Sequence, residues 1–417
     1  MSLVPERWWQ SVLYALVLEG FLEGPESGAL RALPSGTRLA GLTLQQRAER
    51  MARRAGAAIV TCVTSGDALK QLNIHEAGSP TAEDQVLILG TGALTSDAEL
   101  RALVELARST NQSVLLACSA NSFPIAAVLP TRDLPILRGG GLAELLRQGT
   151  VIARHCETDA VHLLTSEAAL HAADRWLYSD LFSITDGYVD RVFNRHISRW
   201  VTRRIINLPI SPNQVTYTHF ALGLLAAFLF WQDRYLLNVL GAALFQFSVA
   251  LDCTDGEVAR LKYQFSKLGS WLDVAADNVV TVAVFIAVAH SALTEFGPQL
   301  ATLLGVSAVF GVVMCVLVVF SMARLLDSRG GSASTLAVTN RLSSTDQVRR
   351  LDAGRSLVER VLNEATSRDF SVIVVAFAFA GRLEWFAWLA AVGSHVFWII
   401  FAIIQAQLFR SENAQSP

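Results

Sequence analysis

The stretch DCTDGEVARLKYQFSKLGSWLDVAAD, residues 252–277, holds the densest set of chemically capable side chains in the chain. Asp252 and Asp255 lie three residues apart and Asp273 and Asp277 four. On a helix either spacing puts both carboxylates on one face. The first pair follows a nearly uncharged run at 235–251, and the second sits at the start of another at 271–292. A connection that folds the second run back beside the first lets the pairs face each other. Four carboxylates held together repel strongly unless a cation sits between them, and charges beside an apolar zone are functional by default. Hard oxygen donors at this density suit Mg²⁺ or Mn²⁺, as one or two ions. Gly256, Ala259 and Gly269 remove bulk where a nucleotide would approach the helix backbones, and Arg260 offers a forked donor to phosphate oxygens. Helix capping accounts for one or two of these aspartates. It does not account for four on matched faces beside an arginine and three small residues.

The rest of the sequence says what positions them. Of 417 residues, 52% are apolar and 17% charged. A soluble domain carries about 25% charge, so this is a membrane protein with a soluble part. Disorder is excluded by the hydrophobicity, and a net charge of −2 argues against a nucleic-acid binder. Five scattered cysteines with no CxxC imply neither a disulfide framework nor a zinc site. In residues 1–180, β-rich runs at 12–18, 57–63, 86–90, 113–118 and 160–165 alternate with amphipathic helical patterns such as 43–54 and 97–108. That alternation predicts an α/β domain around a largely parallel sheet. The first residues lack the basic-then-apolar order of a signal peptide, so this domain is expected in the cytosol.

Beyond about residue 205, nearly uncharged runs occupy 214–231, 235–251, 271–292, 299–323, 370–381 and 385–409. They predict an all-α, six-helix transmembrane domain over 209–411, given that crossing takes about 20 apolar residues. The fifth run is short, and Arg382 must snorkel to the interface. Lys and Arg crowd the second and fourth connections (Arg260, Lys262, Lys267; Arg329 through Arg368), which places those loops, both termini and the aspartates on the cytosolic side. Between the domains, in 181–208, Arg191, Arg195, Arg199 and Arg203 form one helical stripe and Val192, Phe193, Ile197 and Trp200 another. This predicts a helix lying in the headgroup plane, with a soluble helix packed on the first domain as the alternative. His219 and His395 lie on apolar runs and are expected to pack. Trp231, Trp271, Trp385 and Trp388 fall near run ends, as interface anchors do.

The 252–277 stretch resembles the signature of the CDP-alcohol phosphatidyltransferase family, D-x2-D-G-x2-A-R-x8-G-x3-D-x3-D, at every fixed position. The resemblance covers about 205–409. It implies a six-helix, usually dimeric membrane enzyme in which two divalent ions held by the aspartates grip the pyrophosphate of a CDP-linked donor. It implies Asp277 as general base on the acceptor hydroxyl, with CMP as leaving group. A Pro-Asn-x-x-Thr pattern opens the first membrane helix in the family; Pro212, Asn213 and Thr216 match it and are expected near the donor phosphates, although Ser211 and Asn213 also suit a simple helix cap. With a cytosolic α/β domain ahead of the membrane part, and with 184–216 and 366–398, the chain is similar to bifunctional enzymes of the inositol phosphate pathway. In those enzymes the first domain is a cytidylyltransferase making CDP-inositol.

The first domain departs from that pattern. Its opening strand runs into Leu18, Glu19 and Gly20 with no compact Gly-x-Gly-x-Arg, 36–57 lacks the usual Pro-Lys, and VLILGTG at 86–92 stands where an acidic metal-binding turn is expected. It is read as nucleotidyltransferase-like and inactive. Arg324 and Arg368 are the candidate holders of an acceptor phosphate, with Arg204 behind them and ordinary positive-inside anchoring as the alternative for each. The functional expectation is phosphotransfer from a CDP-inositol or CDP-diacylglycerol type of donor to a hydroxyl acceptor. The rivals are a transporter with a cytosolic regulatory domain and an inactive scaffold. Transporters favour internal repeats and broken helices, neither of which is evident here.

Overall fold

A computed structural model describes residues 12–18, 32–63, 84–118, 124–135, 151–156, 161–179, 181, 190–327 and 370–413. The chain divides into two compact units, Met1–Ser179 and Asp180–Pro417.

The first unit is α/β. Its strands are β1 (Leu13–Leu18), β2 (Arg38–Leu39), β3 (Leu42–Thr43), β4 (Ile59–Val63), β5 (Gln85–Gly90), β6 (Ala93–Thr95), β7 (Ser113–Cys118), β8 (Pro124–Pro130), β9 (Val151–Cys156) and β10 (Val161–Leu163). Six of them form one sheet in the order β4-β1-β5-β8-β7-β9. β1 runs parallel to β4 and β5, and β7 parallel to β9. β1 and β5 are buried along their whole length, which is why they read as unbroken apolar runs. The expectation of a parallel sheet needs one correction, because β8 is antiparallel to both its neighbours. Only residues 119–123 separate it from β7, and a parallel return needs a crossover of a dozen residues or more.

Helix α1 (Leu44–Arg54) starts at a capping box in which Thr43 Oγ1 accepts from Gln46 N and Gln46 Oε1 accepts from Thr43 N, both at 3.2 Å. It buries Leu44, Arg47, Ala48, Met51 and Ala52, a single 3.6-period face. Helix α2 (Asp97–Thr110) buries Leu100, Leu103, Val104 and Ala107 in the same way and ends on left-handed Asn111. α3 (Glu167–Ser179) closes the unit.

The second unit is helical. A π-turn at Asp190–Asn194 leads into α4 (Arg195–Ile205). Then follow α5 (Pro212–Trp231), α6 (Tyr235–Leu261), α7 (Lys267–Phe296), α8 (Pro298–Asp327), the short apolar α9 (Phe370–Phe379) and α10 (Phe386–Asn413). Among the described residues, four helices are long and apolar enough to cross a membrane: Pro212–Trp231, Tyr235–Leu261, Leu268–Phe296 and Pro298–Val318. The α5 helix opens on Ser211, capped by Gln214, with Pro212 in its first turn. Inside the bundle, Phe230, Ala242, Phe245, Val284, Val288 and Phe386 share one buried cluster. Backbones approach through small residues: a Cβ on Gly223 of α5 would come 2.6 Å from Val280 of α7.

Candidate active site

The acidic stretch is helical on both sides of its turn. α6 continues past its apolar part to Leu261, so Asp252 and Asp255 stand on successive turns near its C-terminal end. Residues 262–266 reverse the chain, with Tyr263 in the left-handed region at φ 52°. α7 starts at Lys267 behind an N-cap from Ser266 and carries Asp273 and Asp277 in its second and third turns. One ligand atom each from His219, Asp252, Asp255 and Asp273 lies within 4.8 Å of all the others. Asp277, one turn beyond Asp273, is outside that set. His219 is 2% exposed, and its Nε2 stands 3.6 Å from Asp252 Oδ1.

His219, expected to pack, is buried as a packing residue is, and its ring also stands against the carboxylates. The signal was available: it lies three residues after Thr216 and shares its helix face. His395 does pack, accepting at Nδ1 from Trp398 Nε1 at 3.0 Å with Ser307 Oγ 3.0 Å from its Nε2.

The Pro-Asn-x-x-Thr segment meets the acidic stretch at two points. Thr216 Oγ1 donates to Asp255 Oδ2 at 2.5 Å. A Cβ on Gly269 would come 2.8 Å from Asn213 Oδ1 and 2.7 Å from Ser266 Oγ, so the glycine lets these two side chains close over the start of α7. Gly256 is different. A Cβ there would meet only Arg260 Nη2, at 3.9 Å. Among the described residues no atom demands glycine at 256, and the open space beside the carboxylates suits a ligand. Arg260 Nε donates to Gly256 O at 3.2 Å, and Ala259 lies half-buried between them.

Behind the cluster, wholly buried Glu257 is a hub missed by sequence reading. It accepts from Arg195 Nη1 at 3.2 Å, Ser198 Oγ at 2.7 Å and Thr202 Oγ1 at 2.6 Å. The arginine stripe of α4 needs correcting accordingly. Arg195 is buried and ion-paired to α6, because an unpaired charge at that depth would be prohibitively costly. Arg203 is exposed, and the side chain of Arg191 lies outside the described residues. Val192, Phe193 and Trp200 stay 48–56% exposed, an apolar stripe that the unit leaves uncovered. Lys262, expected as a positive-inside charge, donates instead to Leu208 O at 2.8 Å and Ile210 O at 3.0 Å, tying the α4–α5 connection to the end of α6. Arg204 lies over the Trp200 ring. Arg368 and the side chain of Arg324 lie outside the described residues, as do Glu19 and Gly20. At 86–92, where an acidic metal-binding turn is expected, Thr91 is buried and Leu164 N donates to Gly92 O at 2.7 Å, with no carboxylate between 86 and 92.

The donor set fits a divalent ion. Three carboxylates and an imidazole converge, and Asp273 Oδ1 is buried with no hydrogen-bond partner among the described residues. Long apolar helices that carry such a cluster across a short turn define a membrane-embedded protein with a candidate divalent-cation site. The match can be stated more closely: residues 209–343, within the helical unit, match the model for CDP-alcohol phosphatidyltransferase, a transferase family. The chain is 35% identical over 106 residues to the bifunctional IPC transferase and DIPP synthase of Aquifex aeolicus, covering 25% of this chain and 24% of that protein. It is 29% identical over 210 residues to the protein of the same name from Archaeoglobus fulgidus (49% and 35%). To the archaetidylinositol phosphate synthase of Pyrococcus horikoshii it is 30% identical over 105 residues (25% and 54%). The matches thus span about a quarter to a half of these relatives' lengths.

Proposed function

We propose that the chain is an integral membrane CDP-alcohol phosphotransferase that moves a phospho-alcohol group from a CDP-linked donor to an acceptor hydroxyl and releases CMP. The observation that carries this reading is the convergence of Asp252, Asp255 and Asp273 from two helices, with Thr216 hydrogen-bonded to one of them. A divalent ion bound there supplies charge neutralisation for the donor pyrophosphate. Asp252, Asp255 and Asp273 hold it, and Thr216 fixes the Asp255 carboxylate. Asn213, Gly256, Ala259, Arg260 and Gly269 form the wall against which the donor phosphates lie. Asp277, set apart from the other three, takes the acceptor's proton. The acceptor oxygen then bonds to the phosphorus of the transferred group, and the bond from that phosphorus to the CMP oxygen breaks, its electron pair leaving with CMP.

The names of the relatives favour an inositol-phosphate or archaetidyl type of substrate. The distribution of Lys and Arg favours six spans with the site on the cytosolic side. Arg324 and Arg368 are proposed for the acceptor phosphate, a homodimer for the assembly, and an inactive nucleotidyltransferase-like role for 1–180. The test is CMP release by purified protein offered CDP-inositol or CDP-diacylglycerol with candidate acceptors, the product identified by mass spectrometry. Asp252→Ala and Asp273→Ala should each abolish release, and EDTA should do so reversibly, with Mg²⁺ or Mn²⁺ restoring it. Full turnover in EDTA would remove the metal from the reading.

A further inference from the structure

We propose that His219 is a direct ligand of the site's divalent ion, so that one imidazole nitrogen joins three carboxylates and tilts metal preference from Mg²⁺ toward Mn²⁺. The inference rests on the phosphotransferase reading only for the presence of an ion. His219 comes from α5, a different helix from all the aspartates, yet its ring nitrogen falls within 4.8 Å of a carboxylate oxygen from each of Asp252, Asp255 and Asp273. Its Nε2 lies 3.6 Å from Asp252 Oδ1, beyond the roughly 2.7–3.2 Å of an ordinary N–H···O bond. Two donors bound about 2.1 Å from one ion stand about 3.0 Å apart at a right angle and about 3.4 Å apart at a tetrahedral one, so the pair need close by only a few tenths of an ångström to share an ion. The backbone that carries the ring is tied in place. Ser248 Oγ donates to His219 O at 2.7 Å, tying this turn of α5 to α6, while Thr216 one turn earlier holds Asp255.

The chemical consequence follows from donor type. Mg²⁺ prefers an all-oxygen octahedron, whereas a nitrogen donor adds more to the affinity of a first-row transition ion. Replacing His219 should therefore cost Mn²⁺ more than Mg²⁺.

The experiment uses the full chain in detergent, loaded with Mn²⁺ and read by electron spin echo spectroscopy, with Mg²⁺ competition measured in parallel. The expected spectrum contains a directly bound nitrogen that shifts when histidine is labelled with the heavier nitrogen isotope. In His219→Gln that signal should vanish, and selectivity for Mn²⁺ over Mg²⁺ should fall by about tenfold or more. If that variant does not fold, His219→Asn and the labelled native protein decide the matter, since His219 is the histidine of the described cluster. Mn²⁺ bound without nitrogen coupling, or with coupling that survives His219→Gln, overturns the inference and leaves the carboxylate site and the phosphotransferase reading standing. Failure to bind either ion overturns both.

Discussion

Asp277 belongs to the same acidic signature as Asp252, Asp255 and Asp273, yet it alone stays outside the converging donor set. We propose that this placement suits the base of the reaction, with the other three as ligands. If that division holds, Asp277→Asn should lose turnover by 10²-fold or more, on the order of a general base's contribution, while retaining most of its affinity for a CDP-linked donor and for Mn²⁺. Single-turnover kinetics beside a donor-binding isotherm would separate the two; near-native turnover removes Asp277 from the role. Gly269 makes a second prediction at this scale. A methyl group placed 2.7–2.8 Å from Ser266 Oγ and Asn213 Oδ1 displaces both side chains, one of them the N-cap of α7. Gly269→Ala should then cost about 1–3 kcal/mol in stability, as overpacking does, and raise KM for the donor. Gly256→Ala meets no such protein atom, so it should raise KM without lowering the melting temperature.

At the scale of elements, one acid carries three of the side-chain bonds that fix α4 to α6. Glu257 carries no exposed surface and accepts three hydrogen bonds from one face of α4. Glu257→Ala would take from the buried Arg195 guanidinium its Glu257 carboxylate, at a cost of about 3–5 kcal/mol. The variant should lose thermal stability in detergent, and Arg195→Met with Glu257→Met together should recover much of it. A double variant no better than Glu257→Ala would show that the pair is not what holds α4. The same hub shows why sequence reading succeeded in one place and failed in another. Acidic pairs at helical spacing between two apolar runs announce themselves, because charges there are rare. An arginine recurring every four residues announces only a stripe, and nothing in the stripe says which arginine faces a buried acid 62 residues away. Strands β8 and β9 escaped for related reasons. Pro124–Pro130 is bounded by proline and rich in alanine, which blurs it with a helix, and Val151–Cys156 includes Arg154 and His155, which an edge strand tolerates.

At the scale of the molecule, the proposed chemistry lies wholly in the second unit. Every residue given a role follows Asn213, and the first unit offers no carboxylate in its 86–92 turn. The α4 helix, which braces α6 through Glu257, also begins after the boundary at Ser179. Removing residues 1–179 should therefore preserve CMP release from a preformed CDP-alcohol, within about threefold per folded molecule, because neither the donor set nor its brace is cut. Yield is the wrong measure, since the first unit's loss can change expression without touching the site. Specific activity of the monodisperse fraction is the right one. The converse experiment offers the 1–179 fragment CTP and a polyol phosphate. It should form no CDP-alcohol, given that Thr91 and Gly92 are packed into the unit's own backbone bonding where a metal-binding acid would be needed. Synthesis of a CDP-alcohol by that fragment would make the protein bifunctional. It would also move the origin of the donor from outside the chain to its own first domain.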